Sequence, residues 1–246
     1  MIKIGDYVTR KKYNNDIIFK VIDIKENIYY LCGVDLRLYA DSDLNDLVLS
    51  SISKKKITIE CIRKINVSDY YYIPGTILHL DTDKDYLNQC EEYYKNQKIR
   101  YFGILLDIKK FNNNIENLIK KYNPNIVVIT GHDAYYKKNN TYKNSKYFIE
   151  TVKTIRKFSK EIIIVCGACQ SDYVNLIKSG STFASSPAHI NISALDPAII
   201  ASYLALTDKN DVVDLEDILS KTKYGSDGIG GIRTKGCMIS VYPRKE

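Results

Sequence analysis

The chain has 246 residues, of which 45% are hydrophobic and 26% are charged, and its formal net charge is +7. This composition is typical of a globular protein and excludes a disordered or fibrous chain. The basic excess is spread thinly, with 12 Lys and Arg against 10 Asp and Glu over residues 1–74, and 24 against 19 over residues 75–246. The charge therefore indicates a solvated surface and not a nucleic-acid-binding face.

The cellular compartment follows from the N-terminus and the cysteines. The opening residues, Met-Ile-Lys-Ile-Gly-Asp, resemble neither a signal peptide nor a membrane anchor. No apolar run reaches the roughly 18 residues that a membrane span requires. The six cysteines are scattered through a chain that is too long to need disulfides. We therefore expect a cytoplasmic protein with free thiols that binds no membrane, no nucleic acid and no cofactor.

Short β-strands are predicted to form a first domain over residues 1–52. Alternating side chains indicate four strands, over residues 3–10, 16–24, 27–34 and 36–40. Asp41 or Ser42 is then placed to cap a helical turn. Strands this short and closely spaced predict a small SH3-like β-barrel.

Residues 53–74 are predicted to be a linker, rich first in lysine and then in tyrosine. Tyrosines beside lysines could stack on nucleic-acid bases, but packing against a domain surface is the favoured interpretation.

From residue 75 the pattern changes to alternating strands and helices. Strands are predicted over residues 76–81, 100–107, 125–130, 162–167 and 182–186. Helices are predicted over residues 83–95, 114–122 and 172–179, after a cap at Ser145, and from Asp196-Pro197. This βαβ series predicts an α/β catalytic domain over residues 75–207, with a parallel sheet between two helical layers.

Residues 208–246 are predicted to extend the catalytic domain. They contain an amphipathic helix over residues 212–219, a glycine-rich stretch over residues 225–231 and a last hydrophobic strand. The spacing of these glycines does not match G-x-G-x-x-G, so a turn is predicted there and not a dinucleotide site.

Two buried strands end in residues that can do chemistry. One strand leads into Gly131-His132-Asp133 and the next into Ala168-Cys169. Because neighbouring parallel strands end at the same edge of a sheet, His132 and Cys169 are expected to lie close together. A thiol beside an imidazole is the minimum requirement for a cysteine nucleophile.

The roles in such a pair follow from thiol chemistry. Cysteine attacks as the thiolate, so His132 would act as the general base and would then protonate the departing amine. The backbone N–H groups of Asp133 and Cys169 are candidates for the oxyanion hole. His79, in the first parallel strand, and His189, in the loop after the last one, could each be a structural histidine, and His189 is also a candidate for substrate contact.

Cys166 and Cys169 also form a C-x-x-C motif. A thioredoxin-like dithiol is one alternative, although Cys166 lies inside the predicted strand, where exchange would be hindered. A zinc site would need ligands from elsewhere in the chain, because there is no second C-x-x-C, and no metal is predicted.

The motifs carry a resemblance at two levels. A strand ending in His followed by a strand ending in Ala-Cys resembles the caspase–legumain–gingipain group of cysteine peptidases. A closer resemblance, spanning nearly the whole chain, is to the YabG family of sporulation-specific proteases. It is carried by Lys3-Ile-Gly-Asp, Ala40-Asp-Ser-Asp, Pro74-Gly, Leu78-His-Leu-Asp, Val128-Ile-Thr-Gly-His-Asp-Ala-Tyr, Gly167-Ala-Cys-Gln-Ser, Phe183-Ala-Ser-Ser-Pro, Ala194-Leu-Asp-Pro and Gly230-Gly-Ile.

The resemblance implies a caspase-like catalytic domain and a cysteine endopeptidase, made in the mother cell of a spore-forming bacterium, that processes spore coat and cortex-associated proteins. Incorporation into the spore coat and the oligomeric state are left open. Two alternatives stand beside it: a spore-coat binding module without catalytic activity, and a thiol–disulfide oxidoreductase that uses Cys166 and Cys169.

Peptidases of the resembled group hold a charged or amide side chain in a deep pocket beside the cysteine. Acidic residues stand at the strand ends here, so cleavage after a basic residue is predicted, arginine over lysine. Asp81 is the predicted floor of this pocket. The predicted substrate-binding residues are Asp81, Asp83, Asp133, Asp172, Ser185 and His189.

Overall fold

The computed structural model describes residues 2–50 and 70–242. These residues fall into two compact units, one on each side of the gap. The lysine-rich part of the predicted linker, over residues 53–69, lies outside the described residues, whereas its tyrosine-rich end is described.

The N-terminal unit is a five-stranded antiparallel sheet. Its strands are β1 (Tyr7–Arg10), β2 (Phe19–Lys25), β3 (Ile28–Gly33), β4 (Tyr39–Asp43) and β5 (Leu47–Leu49). They are ordered β4-β3-β2-β1-β5, so the described strands form an open sheet and not a closed barrel. Val8, Phe19, Val21 and Leu31 are fully buried in its core.

The predicted cap at Asp41 or Ser42 is wrong. Both residues pair with β3 as part of β4, through Tyr30 and Tyr29, and the helical turn begins only at Leu44. The helical turn is a 3₁₀ turn over Leu44–Asp46, and its preceding residue, Asp43, makes no side-chain cap.

The C-terminal unit contains ten strands and six α-helices among its described residues. The strands are β6 (Tyr71–Ile73), β7 (Ile77–Asp81), β8 (Tyr101–Leu105), β9 (Ile126–Thr130), β10 (Tyr135–Tyr136), β11 (Thr141–Tyr142), β12 (Ile163–Gly167), β13 (Phe183–Ser185), β14 (Ile229–Gly231) and β15 (Ile239–Val241). The helices are α1 (Lys84–Asn96), α2 (Ile108–Tyr122), α3 (Ser145–Phe158), α4 (Tyr173–Ser179), α5 (Asp196–Ala205) and α6 (Leu215–Ser220).

Six of these strands form a central sheet ordered β14-β13-β12-β9-β7-β8. Within this sheet the neighbouring strands β8, β7, β9, β12 and β13 are parallel, and β14 pairs antiparallel with β13 at one edge. Helices α1, α5 and α6 pack on one face of the sheet, and α2, α3 and α4 pack on the other. The prediction of a mostly parallel sheet between two helical layers is confirmed.

The central strands are buried because both of their faces are covered. Every residue of β7, β9 and β12 is buried, and most of these side chains are aliphatic. Burying one such side chain contributes about 1.5–3 kcal/mol, so the centre of the sheet is the most strongly stabilised part of this unit. The ends of β9 and β12 are therefore rigid supports for the residues that follow them.

Four parts of the structure differ from the sequence prediction. Helix α2 begins at Ile108, six residues earlier than predicted, because Asp107 caps it and Phe111 joins the buried stripe. The polar segment after β9 contains a hairpin of β10 and β11. Within the glycine-rich stretch a 3₁₀ turn is followed by β14, which pairs with β13. The tyrosine-rich end of the predicted linker forms β6, which pairs with β15.

Among the described residues, no helix combines the length and the apolar character that a membrane span needs.

Candidate active site

His132 and Cys169 leave adjacent parallel strands at the same level. In the ladder between β9 and β12, Thr130 pairs with Gly167, which is the last pair before both strands end. Each candidate residue stands two positions beyond this pair. Both residues therefore leave the carboxyl edge of the sheet from adjacent strands, and the contact between the imidazole and the thiol stays a prediction.

Cys169 is almost completely buried and its sulfur contacts a neighbouring loop. The side chain is 3% exposed, and its Sγ lies 3.3 Å from the backbone nitrogen of Ile192. An N–H donated to sulfur favours negative charge there, which a nucleophilic thiolate requires. No sequence pattern identifies Ile192, because it meets Cys169 only through the fold of the chain after β13.

The turn that carries Cys169 has an unusual backbone. Gly167 has a φ of +129°, and a Cβ there would come within 2.9 Å of Ser185 Cβ. Gln170, directly after Cys169, and Ser186 and His189, in the loop after β13, all adopt left-handed conformations, with φ between 54° and 66°. Non-glycine residues in this region are strained, and such residues cluster at functional sites.

Hydrogen bonds join this turn to the loop after β13. The Gln170 N–H lies 3.1 Å from Ser186 Oγ and 3.2 Å from the carbonyl oxygen of Ile190. These contacts fix the backbone directly after the thiol. The loop over residues 186–193 is thus one wall of the candidate site.

His132 is held from three sides. Asn144 Nδ2 donates to the His132 carbonyl at 2.8 Å, and the imidazole Nδ1 lies 3.5 Å from Thr82 Oγ1. The Tyr86 ring packs against the imidazole with the ring centroids 5.8 Å apart. Thr82 directly follows β7, and Tyr86 lies in the first turn of α1. The segment after the neighbouring strand therefore supplies the groups that orient His132.

Asp133 connects the two loops of the site through Ser145. Its carboxylate accepts hydrogen bonds from the N–H groups of Ala134 and Asn144, at 2.8 and 2.7 Å, and from the Ser145 hydroxyl. The Ser145 oxygen in turn accepts the N–H of Asp172 at 2.8 Å. Burial raises the pKa of the Asp133 carboxyl, and these hydrogen bonds oppose the rise.

This arrangement corrects the predicted cap of α3. Ser145 is the first residue of the helix, and the preceding residue, Asn144, makes no side-chain cap. Asp133 occupies the capping role from a distant part of the chain, because its carboxylate accepts the Asn144 N–H.

Replacing Ser145 with alanine should loosen both loops. The change leaves a partly buried Asp133 oxygen without one donor and the Asp172 N–H without its acceptor, at a cost of about 2–4 kcal/mol in unfolding free energy. If the predicted cysteine peptidase reaction takes place here, kcat should fall at least about tenfold, because small displacements of reacting groups reduce rates strongly.

Ser145→Thr keeps the hydroxyl and should recover most of the loss in both measurements, made by denaturant titration and peptide hydrolysis. Ser179→Ala, at the other end of α4, is the matched control, since it removes one hydrogen bond away from the site. Equal kcat values for Ser145→Ala and Ser179→Ala would contradict the linking role.

Asp83 and Asp172 both cap helices. Asp83 Oδ1 accepts the N–H groups of Asp85 and Tyr86 at the start of α1. Asp172 accepts the Asn175 N–H at 3.2 Å at the start of α4. Their carboxylates therefore stabilise the helices that flank the candidate site.

Asp81 is fully buried beneath the edge of the sheet. Its Oδ2 accepts the Thr130 hydroxyl at 2.8 Å, and its Oδ1 accepts the Asp83 N–H at 3.0 Å. Thr130 Oγ1 also lies 2.7 Å from Nε2 of His79, whose Nδ1 contacts the Tyr94 hydroxyl at 2.9 Å. The structure thus places Asp81 and His79 in one buried polar network under β9.

Ser185 and His189 belong to β13 and the loop after it, on the opposite side of β12 from Asp81. Ser185 ends β13 and is fully buried, and no hydrogen-bond partner for its Oγ is found among the described residues. His189 stacks on Tyr135 with the ring centroids 5.0 Å apart, and on Tyr142 at 6.1 Å. This stacking brings the loop after β13 against the β10–β11 hairpin.

Cys166 differs sharply from Cys169. It lies inside β12, is buried, and belongs to the core beneath α2, α3 and α4. Burial raises the pKa of the Cys166 thiol well above its ordinary value, so it remains a thiol at neutral pH. Both cysteines are free, and no cluster of three or more metal-binding side chains is found in the described part of the chain.

Asp196, at the first position of α5, is a further buried carboxyl. Burial raises its pKa to about 6, although hydrogen bonds from the backbone of Lys223 and Ser193 oppose the rise. A carboxyl with a raised pKa in the folded state binds its proton more tightly there than in the unfolded chain. It therefore favours folding fully at low pH, and this contribution is lost as pH rises through about 6.

The stability difference between the wild type and Asp196→Asn isolates this group. We expect the unfolding free energy of the wild type, relative to the variant, to fall by about 2 kcal/mol between about pH 4.5 and about pH 7. Denaturant titrations at both pH values measure it. A difference that is constant with pH would show that Asp196 has an ordinary pKa.

The fold and the comparisons together define the class of protein. The chain is a peptidase, because the family model described as "YabG peptidase U57" matches residues 3–66 and 53–243. It is 36% identical over 285 residues to a Bacillus subtilis (strain 168) protein named "Sporulation-specific protease YabG", covering 99% of this chain and 98% of that protein. The chain therefore belongs to the YabG family of sporulation proteases.

Proposed function

We propose that the chain is a cysteine endopeptidase in which Cys169 is the nucleophile and His132 is the general base. The observation that carries this proposal is the paired end of β9 and β12, which places both residues at one edge of the sheet. The N–H from Ile192 to the Cys169 sulfur supports a thiolate at that position.

The reaction would follow the usual course of acyl transfer. His132 takes the thiol proton, and Cys169 Sγ attacks the carbonyl carbon of the peptide to give a tetrahedral oxyanion. Collapse of this intermediate breaks the C–N bond, and His132 gives its proton to the leaving amine. Water, activated by the same imidazole, then hydrolyses the thioester and releases the free carboxylate.

The oxyanion would be received by the backbone N–H groups of Asp133 and Cys169. For Asp133 this is supported by the hydrogen bonding: within residues 2–50 and 70–242, no acceptor is found for its N–H. The Asp133 carboxylate is engaged by Ser145 and the start of α3, so its backbone is held in place for this role.

We further propose that the two units have distinct folds and roles. Adjacent strands ending in His and in Ala-Cys support a caspase-like catalytic sheet. In the N-terminal unit, five short antiparallel strands, the last of which pairs with the first, support an SH3-like fold. A role in recognising substrate or coat proteins suits this unit, since the candidate catalytic residues all belong to the other.

The proposed substrates are spore coat and cortex-associated proteins, and the proposed place of action is the mother-cell cytoplasm. Family membership supports a function in sporulation. Cleavage after a basic residue is proposed because acidic side chains surround the edge of the sheet.

One experiment separates this proposal from its two alternatives. Purified wild type, Cys169→Ala and Cys166→Ala are incubated with spore coat proteins, and cleavage is followed by gel electrophoresis. The proposal expects only Cys169→Ala to lose cleavage. A thiol–disulfide oxidoreductase would need both thiols and would exchange disulfides, whereas a binding module would retain coat proteins and cleave none.

A further inference from the structure

Thr82 contacts the imidazole on which the proposed reaction depends. It is the first residue after β7, and its Oγ1 lies 3.5 Å from Nδ1 of His132. This separation is long for a hydrogen bond, and such contacts at catalytic groups often shorten when the substrate binds. In a neutral histidine, the hydrogen bond made by one ring nitrogen decides which of the two carries the proton. A hydroxyl at Nδ1 can therefore select the nitrogen of His132 that acts as the base.

The residue before His132 has to be a glycine for Thr82 to come this close. A Cβ at Gly131 would lie 2.9 Å from Thr82 Oγ1 and 3.0 Å from its Cγ2, so one of the two side chains would have to move. A larger residue at position 131 would therefore push the hydroxyl away from the imidazole. The Gly131-His132 pair thus has a physical cause in the approach of Thr82.

A buried carboxylate holds Thr82 in place. Asp81 Oδ1 accepts the Asp83 N–H at 3.0 Å, and this bond closes a turn around Thr82. Asp81 Oδ2 accepts the Thr130 hydroxyl at 2.8 Å, which ties the same turn to the strand that leads into His132. Because Asp81 is fully buried, its hydrogen bonds are strong and hold their surroundings rigidly. One carboxylate therefore fixes the backbone on both sides of the contact between Thr82 and His132.

We infer that Thr82 is a positioning residue that keeps the proton of neutral His132 on Nδ1, so that Nε2 carries the lone pair of the general base. Asp81 supports this role by fixing the turn that carries Thr82. In free histidine the neutral ring favours the proton on Nε2, so a proton on Nδ1 has to be held there by an acceptor. The catalytic consequence rests on the proposed cysteine peptidase function, whereas the position of the proton does not.

The position of the proton can be measured directly, because the chain has only three histidines. Protein labelled with ¹⁵N-histidine is studied in the Cys169→Ala background, where no thiolate can form an ion pair with the imidazole. Long-range ¹H–¹⁵N correlation spectra at about pH 8.5, where imidazole is ordinarily neutral, distinguish a protonated ring nitrogen from an unprotonated one. The signals that disappear in His132→Ala belong to His132.

We expect Nδ1 of His132 to carry the proton in this background. Thr82→Val keeps the shape of threonine and removes its hydroxyl, so it should move the proton largely to Nε2. A proton on Nε2 of His132 before any change at Thr82 would overturn the inference, and this measurement does not depend on how the Thr82 variant folds. The same tautomer with and without the Thr82 hydroxyl would also overturn it.

Peptide hydrolysis with the Cys169 enzyme gives the second readout. Thr82→Val should lower kcat by about ten- to a hundredfold and leave KM nearly unchanged, because the hydroxyl acts on the base and not on substrate binding. Thr82→Ser retains Oγ1 and should recover most of the loss. Thr154→Val is the matched control and should keep its kcat, since it removes a hydroxyl that donates to Asn112 between α2 and α3.

An unchanged kcat in folded Thr82→Val, or a loss that Thr82→Ser does not restore, would contradict the positioning role. Failure of the proposed function would look different. If Cys169→Ala cleaves as fast as the wild type, the proposed mechanism fails, while a His132 proton that moves in Thr82→Val still supports the control of the tautomer by Thr82.

Discussion

Replacing Cys169 with alanine should abolish peptide hydrolysis, with kcat/KM falling by about 10⁴-fold or more. In the proposed mechanism the thiolate forms the covalent bond to the substrate, and alanine offers no nucleophile in its place. The variant should still fold, because the change removes only one sulfur atom and leaves the backbone hydrogen bonds of this turn in place. Circular dichroism and steady-state hydrolysis of a fluorogenic peptide measure the two effects.

Cys166→Ala is the matched control for that change. It removes the same atom three residues earlier in the chain, from a side chain buried in β12 whose thiol pKa is raised. We expect this variant to lose stability, as buried truncations do, and to keep most of its hydrolytic activity. Loss of activity in folded Cys166→Ala would favour a reaction that needs both thiols.

Replacing His132 with alanine should lower kcat by about 10²- to 10⁴-fold, which is the usual contribution of a positioned general acid–base. Without the imidazole, the Cys169 thiol loses its proposed general base. The rate of iodoacetamide alkylation of Cys169 at neutral pH should therefore fall together with kcat. Both rates should recover partly as the pH is raised, because the thiolate then forms without assistance.

His189→Ala is the control for this experiment. His189 stacks on Tyr135 and Tyr142 at the same edge of the sheet, so its loss should raise KM and leave the alkylation rate of Cys169 unchanged. If His132→Ala retains both rates and His189→Ala loses them, then His189 is the base.

The central sheet could be predicted from sequence because its strands carry a strong local signature. The runs in β9 and β12 are short and mostly β-branched, the run in β7 is short and mostly aliphatic, and the helices between them have caps such as Asp83 and a buried stripe. The hairpin of β10 and β11 and the edge strand β14 have no such signature. Strand β14 consists of Ile-Gly-Gly and exists because it pairs with β13, a contact made far along the chain.

The same distinction applies to the candidate site. The positions of His132 and Cys169 follow from strand order alone, so they could be predicted. The roles of Thr82, Ser145 and Ile192 could not, because each depends on a contact between segments distant in sequence. The sequence predicts Asp81, Asp83, Asp133 and Asp172 near the strand ends, but it could not show that Asp81 and Asp133 accept hydrogen bonds from the hydroxyl groups of Thr130 and Ser145.

Trapping the covalent intermediate tests the central claim most directly. The enzyme is mixed with a peptide that carries an activated ester after arginine, quenched in acid within the first turnover and digested for mass spectrometry. A thioester-linked acyl group on Cys169, one per molecule and absent from Cys169→Ala, is the predicted result. An acyl group on a different residue, or turnover of the peptide with unmodified Cys169 throughout, would contradict the account.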